Sequence, residues 1–310
     1  MISILVGILL LYLGAESLVR GSSQLAAKFG IPPLIVGLTI VAFGTSAPEL
    51  TVSLSAAFNG ANGVSVGNVV GSNIFNIAVI LGITALIRPP NVQINIIRRE
   101  IPFLIFVTLI GSFLILHGSV SRLAGLTLFL GLCAYTVYCI REARKESSEN
   151  SADPSPVKTY PTWLCGLLII LGLGVLVFGS HLFVEGAVSL ARRFGVSEAI
   201  IGLTIVAAGT SLPELATSVL AALKKESDVA IGNIIGSCIF NILCILGLTA
   251  SILPIEVTDI GRLDVALMLG LSIVLLPFAF SQRKISRLEG ACFLAAYGIY
   301  LYCLWPTSVG

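Results

Sequence analysis

The sequence predicts an all-α polytopic membrane protein with ten transmembrane helices, arranged as two inverted-topology repeats of five helices each. Three observations predict this fold class: the composition, ten apolar segments of spanning length, and an internal repeat. The 310 residues are 56% hydrophobic and 11% charged, whereas a soluble globular chain carries roughly 25% charged residues. The net charge of +2 is too small to indicate a nucleic-acid partner.

Segments of about 20 apolar residues are long enough to cross the roughly 30 Å of bilayer hydrocarbon. Such segments lie at residues 2–19, 33–57, 64–87, 101–117, 122–140, 163–182, 198–222, 229–253, 264–281 and 288–305. The first segment is predicted to be a membrane helix rather than a signal peptide, because it has no basic start and it matches the sixth segment. The polar, proline-punctuated stretch at 141–161 predicts a flexible linker between segments five and six.

The internal repeat has a constant offset of 165 residues. Pairs that share this offset are Gly14 and Gly179, Glu49 and Glu214, Gly67 and Gly232, and Asn76 and Asn241. Each half holds five predicted helices, an odd number, so the halves would enter the membrane in opposite directions. We therefore predict a first repeat at 1–140, a linker at 141–161 and a second repeat at 162–310. Inverted repeats are typical of secondary transporters, whose substrate site lies near the midplane where the halves meet.

Orientation is predicted from the Lys and Arg residues, which concentrate in the cytoplasmic connections of membrane proteins. With the N-terminus outside, 14 of the 18 Lys and Arg residues fall in inner connections and the other 4 fall in outer ones. The sequence therefore predicts a multi-pass plasma-membrane protein with both termini outside and the 141–161 linker in the cytoplasm.

A seven-residue motif occurs twice, as GTSAPEL at 44–50 and as GTSLPEL at 209–215. Each copy places a glutamate, Glu49 or Glu214, inside a segment that is otherwise apolar enough to cross a membrane. A charge at the bilayer centre costs about 2.5–3.5 kcal/mol on insertion scales. Two such glutamates in equivalent settings predict a functional site built around them.

The prolines of the two motifs predict free backbone oxygens beside the glutamates. Pro48 has no N–H, so the carbonyl of Gly44 loses its helical partner. Non-helical backbone at membrane depth is tolerated where it lines a cavity or is buried in protein. We therefore expect the carbonyls from Ala42 to Thr45 to serve as cation ligands, and the second motif to repeat this arrangement around Pro213.

Polar side chains at four-residue spacing on the third and eighth segments predict the opposite wall of the site. They are Asn68, Ser72 and Asn76 in the first half, and Asn233, Ser237 and Asn241 in the second. The alternative interpretation is that small and polar residues here only pack helices together and form hydrogen bonds between them. Both interpretations stay open for Asn68 and Asn233. The other four side chains are predicted to line the site, because they lie opposite the glutamates.

The predicted site offers carboxylates, hydroxyls, amides and carbonyls, with no thiolate or imidazole. Hard oxygen ligands suit Ca²⁺, which takes about six to eight oxygens, and also Na⁺, but they do not suit Zn²⁺ or copper. Two ionised glutamates balance the charge of one Ca²⁺. A cavity that binds Ca²⁺ and monovalent cations in turn is what an exchanger requires.

Both motif regions resemble the alpha repeats of the cation/calcium antiporter superfamily, specifically its sodium/calcium exchanger branch, which has prokaryotic members. The resemblance rests on GTSAPEL…GNVVGSNIFN in the first half and GTSLPEL…GNIIGSCIFN in the second. It implies that Glu49 and Glu214 are the central Ca²⁺ ligands, assisted by the carbonyls of Thr45 and Thr210. The Na⁺ sites that it implies use Ser46, Ser72, Ser211 and Ser237 and the carbonyls of Ala42 and Ala207, with Asn76 and Asn241 in the middle.

The resemblance also implies electrogenic antiport that exports Ca²⁺ as Na⁺ enters, with no enzymatic activity and no cofactor. The expected partners are the transported ions and the bilayer, and one copy of the chain is expected to suffice for transport. Potassium-dependent exchangers of this superfamily resemble the chain but have an aspartate at the position of Asn241, so we predict K⁺ independence. A Ca²⁺/H⁺ antiporter and a Ca²⁺-permeable channel are the open alternatives.

Glycines seven residues apart on the first and sixth segments predict two smooth helix faces. They are Gly7, Gly14 and Gly21, and Gly172, Gly179 and Gly186. Seven residues are close to two helical turns, so each set forms one strip on its helix. The strips could let these helices slide on their neighbours, and the resemblance implies that they form the moving gate; close static packing is the alternative.

Overall fold

The computed structural model describes residues 2–149, 160–194, 205, 207–257 and 260–304, and most of this described chain is helical. Its helices are α1 (Ile2–Phe29), α2 (Pro33–Thr45), α3 (Ala47–Phe58), α4 (Asn62–Ile87), α5 (Ile96–Leu116), α6 (Arg122–Glu149), α7 (Thr162–Arg193), α8 (Ala207–Gly209), α9 (Leu212–Leu223), α10 (Ser227–Ile252), α11 (Arg262–Gln282) and α12 (Arg287–Leu304). Two short strands, β1 (Ser119–Val120) and β2 (Ile255–Glu256), pair antiparallel and join a loop of each half.

The predicted all-helical membrane fold is confirmed. Among the described residues, seven helices are long and apolar enough to span a membrane, or eight if α2 and α3, which meet at a bend of 44°, form one span. The count of ten helices and the inverted topology stay predictions. Residues 198–204 and 206 of the predicted seventh segment lie outside the described residues, as do residues 150–159 of the predicted linker.

The first part of the predicted linker at 141–161 is helical. The helix α6 continues through residues 141–149 and ends at Glu149. The stretch is polar, but it consists largely of Arg, Lys, Glu and Ala, which are strong helix formers. Polarity therefore marks the place where the chain leaves the apolar segment, and it does not mark the end of the helix.

The helices α1 and α7 lie face to face along their glycine strips. A Cβ added at Gly14 would come within 2.8 Å of the Gly172 carbonyl oxygen, and one at Gly172 within 2.7 Å of the Leu18 nitrogen. Absence of side chains at these positions is what permits contact between the two backbones. The glycine strips thus pack closely against each other, and sliding of these helices stays a prediction.

Both of these helices are longer than the hydrocarbon layer of a bilayer is thick. They contain 28 and 32 residues, which correspond to about 42 and 48 Å at 1.5 Å per residue. The hydrocarbon layer measures about 30 Å. Helices of this length cross at a tilt or extend beyond the hydrocarbon.

A break in the helix precedes each motif glutamate. Ser46, between α2 and α3, has φ −84° and ψ 7°, and Ser211, before α9, has φ −89° and ψ 7°. Each motif proline then falls in the first turn of the next helix, where a missing N–H is tolerated. Glu49 and Glu214 lie in the same first turns, where the partial positive charge of a helix N-terminus favours a carboxylate.

The helices α4 and α10 form the centre of the molecule. The apolar window of α10 is completely buried, and 78% of the corresponding window of α4 is buried. Both helices change from α to π winding at equivalent positions of the repeat, Asn76–Leu81 and Asn241–Leu246. Short π segments occur frequently at functional sites. The two helices with the polar stripes are therefore surrounded by the rest of the fold.

Candidate ion-binding site

The two motif glutamates are buried, and each is bonded to the motif of the opposite half. Glu49 and Glu214 are each 1% exposed. Ser46 Oγ donates a hydrogen bond to Glu214 Oε1 at 2.8 Å, and Ser211 Oγ donates one to Glu49 Oε1 at 2.9 Å. Each carboxylate thus accepts a hydrogen bond from the serine that breaks the helix of the other half. The arrangement requires both halves of the chain.

Further hydroxyl groups surround both carboxylates. They belong to Ser72, 3.4 Å from Ser211 Oγ, to Thr210 beside Glu49, and to Thr45 and Ser237 beside Glu214. With Ser46 and Ser211, six hydroxyls from both halves therefore lie around the two glutamates. Such a donor set offers oxygen atoms, which is what hard cations prefer.

Asn68 and Asn233 brace the helices that carry the glutamates. Asn68 Nδ2 donates to the Glu49 carbonyl oxygen at 3.0 Å and to Ser53 Oγ at 2.9 Å. Asn233 makes the two equivalent bonds, 165 positions further along the chain, at 3.4 and 2.9 Å. Of the two interpretations left open for these asparagines, the contacts favour hydrogen bonding between packed helices.

The backbone carbonyls beside the motifs are less free than the prolines suggested. The Ala42 carbonyl oxygen accepts a bond from the Ser46 N–H at 3.0 Å, so it keeps its helical partner. Pro48 removes only the N–H that would reach Gly44, and Ala42 lies two residues earlier. The Thr45 hydroxyl also lies 3.4 Å from this carbonyl oxygen. A role of the Ala42 carbonyl as a cation ligand stays a prediction. Only the backbone of Ala207 belongs to the described residues.

In the second half, a serine of α7 forms a hydrogen bond to the backbone carbonyl that has no helical N–H partner because of Pro213. Ser180 Oγ donates to the Gly209 carbonyl oxygen at 2.6 Å, four residues before Pro213. Sequence reasoning missed this contact, because the position equivalent to Ser180 in the first half is Ala15. The bond attaches α7 directly to the second motif.

Several buried oxygens of the site have no hydrogen-bond partner among the described residues. They are Glu49 Oε2, Glu214 Oε2, Asn76 Oδ1, Asn241 Oδ1, Ser237 Oγ and Thr210 Oγ1. Burying an unpaired polar atom is costly, and a cation that such oxygens bind offsets that cost. The groups gathered here are carboxylate, hydroxyl and amide oxygens, the type of ligand that hard cations prefer.

A further asparagine, Asn73, belongs to this polar centre and was not predicted. Asn241 Nδ2 donates to Asn73 Oδ1 at 2.9 Å, and Asn73 Nδ2 donates to the Cys238 carbonyl oxygen at 3.3 Å. Cys238 is the residue equivalent to Asn73 in the second half, and its side chain lies beside Asn76. The one signal in the sequence is that the repeat differs at this position, in a region where most polar residues recur.

Comparison with known proteins identifies the family. The chain matches the family described as "Sodium/calcium exchanger protein" over residues 1–141 and 165–305. The chain belongs to the sodium/calcium exchanger family. CaxA of Alkalimonas amylolytica, an antiporter by name, is 43% identical over 99% of this chain and 98% of its own length. The sodium/calcium exchanger MaX1 of Methanosarcina acetivorans is 31% identical over 97% of each chain.

The fold of this exchanger family member also matches solved structures. The sodium-calcium exchanger NCX_Mj, soaked with Na⁺ and Ca²⁺, superposes with a TM-score of 0.84 over 97% of each chain, at 31% identity. The inner membrane protein YrbG of Escherichia coli is 38% identical over 87% of this chain and 86% of its own length. Together with the apolar helices, these relatives identify a multi-pass membrane protein, and the relatives that are named by function are exchangers or antiporters.

Proposed function

We propose that this chain is an electrogenic Na⁺/Ca²⁺ antiporter, which exports Ca²⁺ as Na⁺ enters by alternating access around Glu49 and Glu214. The observation that carries the proposal is the crossed pair of serine–carboxylate hydrogen bonds, at 2.8 and 2.9 Å, in a member of this family. Two carboxylates together balance one Ca²⁺. Each net charge that crosses is worth about 2.3 kcal/mol per 100 mV, so more than two Na⁺ per Ca²⁺ lets the membrane potential assist extrusion.

Within the proposed site, Glu49 and Glu214 are the central Ca²⁺ ligands, assisted by the carbonyls of Thr45 and Thr210. The proposed Na⁺ sites use the hydroxyls of Ser46, Ser72, Ser211 and Ser237 and the carbonyls of Ala42 and Ala207, and Asn76 and Asn241 line the middle. The hydroxyls gathered around the two carboxylates support this assignment, because Na⁺ and Ca²⁺ are both hard cations that bind oxygen.

The proposed architecture is an inverted repeat, with five helices at 1–140, a cytoplasmic connection within 141–161, and five helices at 162–310. Contacts that recur at the offset of 165 residues support it. Asn73 Nδ2 donates to the Cys238 carbonyl oxygen, and Cys238 Sγ lies 4.0 Å from the Asn73 carbonyl oxygen. A residue that meets its own equivalent reciprocally is expected at a pseudo-two-fold axis between the repeats. The proposal places both termini outside the plasma membrane.

The coupling ion is proposed to be Na⁺, without a requirement for K⁺. The hydroxyl-rich surroundings of the carboxylates and the names of MaX1 and NCX_Mj support Na⁺. The name of CaxA specifies an antiporter without its ions, which keeps a Ca²⁺/H⁺ antiporter as the second candidate. K⁺ independence rests on Asn241, a neutral amide at a position where a carboxylate would add a charge to the site.

Vesicle transport tests the site. Purified protein in Na⁺-loaded vesicles should take up Ca²⁺ after dilution into Na⁺-free buffer, and Glu49→Gln and Glu214→Gln should each abolish this uptake, because each removes one of the two charges that balance Ca²⁺. Glu185→Gln is the matched control, since the Glu185 side chain is 59% exposed and pairs with His181 on α7. Normal exchange by both site variants would refute the assignment.

The same vesicles test the coupling ions. Replacing the Na⁺ gradient by a pH gradient should stop Ca²⁺ uptake, and replacing K⁺ by choline should leave its rate unchanged. An inside-positive potential should speed uptake, since more than two positive charges leave as one Ca²⁺ enters. Uptake driven by pH alone would instead establish proton coupling. Ca²⁺ flux that needs no counter-ion would establish a channel.

A further inference from the structure

We propose that Asn73 is a positioning residue that holds the side-chain amide of Asn241 so that its oxygen, and not its NH₂ group, faces the ion-binding site. The inference rests on the proposed function, because it concerns a group in the same site. Asn73 lies outside the two seven-residue motifs, and its own side-chain oxygen is occupied by the NH₂ group of Asn241. Asn73 and Asn241 are each 1% exposed, so water does not compete freely for their amide groups.

The orientation follows from a chain of donors and acceptors with one fixed end. That end is the Cys238 backbone carbonyl, which can only accept a hydrogen bond. It accepts from Asn73 Nδ2 at 3.3 Å, so the NH₂ group of Asn73 must point toward it. The Asn73 oxygen then points the other way, where it accepts from Asn241 Nδ2 at 2.9 Å.

The last group in this series of hydrogen bonds is the side-chain oxygen of Asn241. Because the NH₂ group of Asn241 is held by Asn73, Asn241 Oδ1 lies on the opposite side of the amide, buried and without a hydrogen-bond partner among the described residues. An amide that turned over would place its NH₂ group there, with a partial positive charge facing a cation. Ca²⁺, which collects about six to eight oxygens, would then lose a ligand and meet a repulsive group.

The other half of the site lacks this restraint. The residue equivalent to Asn73 is Cys238, whose thiol lies beside Asn76, and sulfur is a weak acceptor. Asn76 Oδ1 is also buried without a partner among the described residues. The two central amides therefore differ in rigidity: that of Asn241 is held by an amide oxygen, whereas that of Asn76 has only a sulfur beside it.

Substitution of Asn73 tests the inference by separating affinity from turnover. Asn73→Ala should raise the Ca²⁺ concentration for half-maximal Na⁺-driven uptake by about three- to tenfold, the loss expected from one hydrogen bond, with the maximal rate within about twofold of normal. Asn73→Ser is the second variant, since its hydroxyl is too short to hold the amide and it should show the same shift. Cys244→Ala, at a buried position of the neighbouring α10, is the control for substitution in this core.

A second background distinguishes positioning from packing. In Asn241→Asp the side chain has two equivalent oxygens and no NH₂ group from which Asn73 Oδ1 could accept a hydrogen bond, so adding Asn73→Ala should not raise the Ca²⁺ concentration for half-maximal uptake. A structural role for Asn73 would instead lower the melting temperature and the maximal rate equally in both backgrounds. Normal half-saturation in either folded Asn73 variant, or an equal shift in both backgrounds, overturns the inference.

Direct Ca²⁺ binding to the purified protein keeps this inference separate from the proposed function. If the unmodified protein binds Ca²⁺ but shows no Na⁺-driven uptake, the Na⁺ coupling fails, and the shift in Ca²⁺ binding caused by Asn73→Ala still decides the inference. If the unmodified protein binds no Ca²⁺, both proposals fail.

Discussion

Replacing Gly172 by alanine should destabilise the contact between α1 and α7. The added Cβ would lie 2.7 Å from the Leu18 nitrogen and 2.9 Å from the Gly14 carbonyl oxygen, and both atoms belong to backbone that cannot rotate away. Overpacking of this kind costs about 1–3 kcal/mol. Gly174→Ala on the same helix is the matched control, because a Cβ there meets nothing within 4 Å. Both variants gain the same helix propensity of about 1 kcal/mol, so their difference isolates the clash.

The assay compares thermal unfolding of the two purified variants and their Na⁺-driven Ca²⁺ uptake. Gly174→Ala should unfold at or above the temperature of the unmodified protein, and Gly172→Ala should unfold at a lower temperature and exchange more slowly. Equal unfolding temperatures and equal rates for the two variants would contradict the backbone contact described for α1 and α7. Lower rates at equal unfolding temperature would instead favour the predicted sliding over static packing.

Two further changes can be checked by the same unfolding measurement. Ser180→Ala should destabilise the protein by about 1–3 kcal/mol, because the buried Gly209 carbonyl oxygen loses the hydroxyl that bonds it at 2.6 Å; Ser180→Thr should retain most of the stability, and an equal loss in both variants would argue against the bond. Lys225→Gly should stabilise the protein by about 0.5–1 kcal/mol. Lys225 has φ 69°, a left-handed conformation that costs a residue with a side chain about 1–2 kcal/mol. Glycine avoids this cost, and the greater conformational entropy of glycine in the unfolded chain offsets only part of the gain. An unchanged or lower unfolding temperature would contradict the second prediction.

The membrane fold could be predicted from composition and apolar length, because a chain in hydrocarbon must satisfy its backbone polar groups internally and helices do so within one segment. The bonding of the site could not. Regular helical spacing would place Ser46 and Glu49 on one face of one helix. The break at Ser46 interrupts that helix, and the Ser46 hydroxyl bonds to Glu214 of the other half instead.

Residues that recur in both halves could be predicted from the internal repeat, whereas residues that differ between the halves could not. Asn73 and Ser180 both make buried hydrogen bonds at the site, yet each has a different residue at its equivalent position. The π winding that begins at Asn76 and at Asn241 has no signature in sequence either, since it depends on the packing of the surrounding helices. The sequence is therefore a better guide to which residues lie near one another than to how each side chain is oriented.

These differences between the halves have a thermodynamic meaning under the proposed inverted repeat. Two identical halves would give the inward-open and outward-open states equal free energies, because exchanging the halves exchanges the states. Lys224 Nζ lies 2.5 Å from Glu16 Oε1 and joins α1 to the end of α9, whereas the equivalent positions hold Asn59 and His181. A contact between the halves that has no counterpart at the equivalent positions favours one state, and about 1 kcal/mol changes the ratio of the states roughly fivefold. Under the proposed alternating access, contacts of this kind therefore bias which side of the membrane the empty site faces.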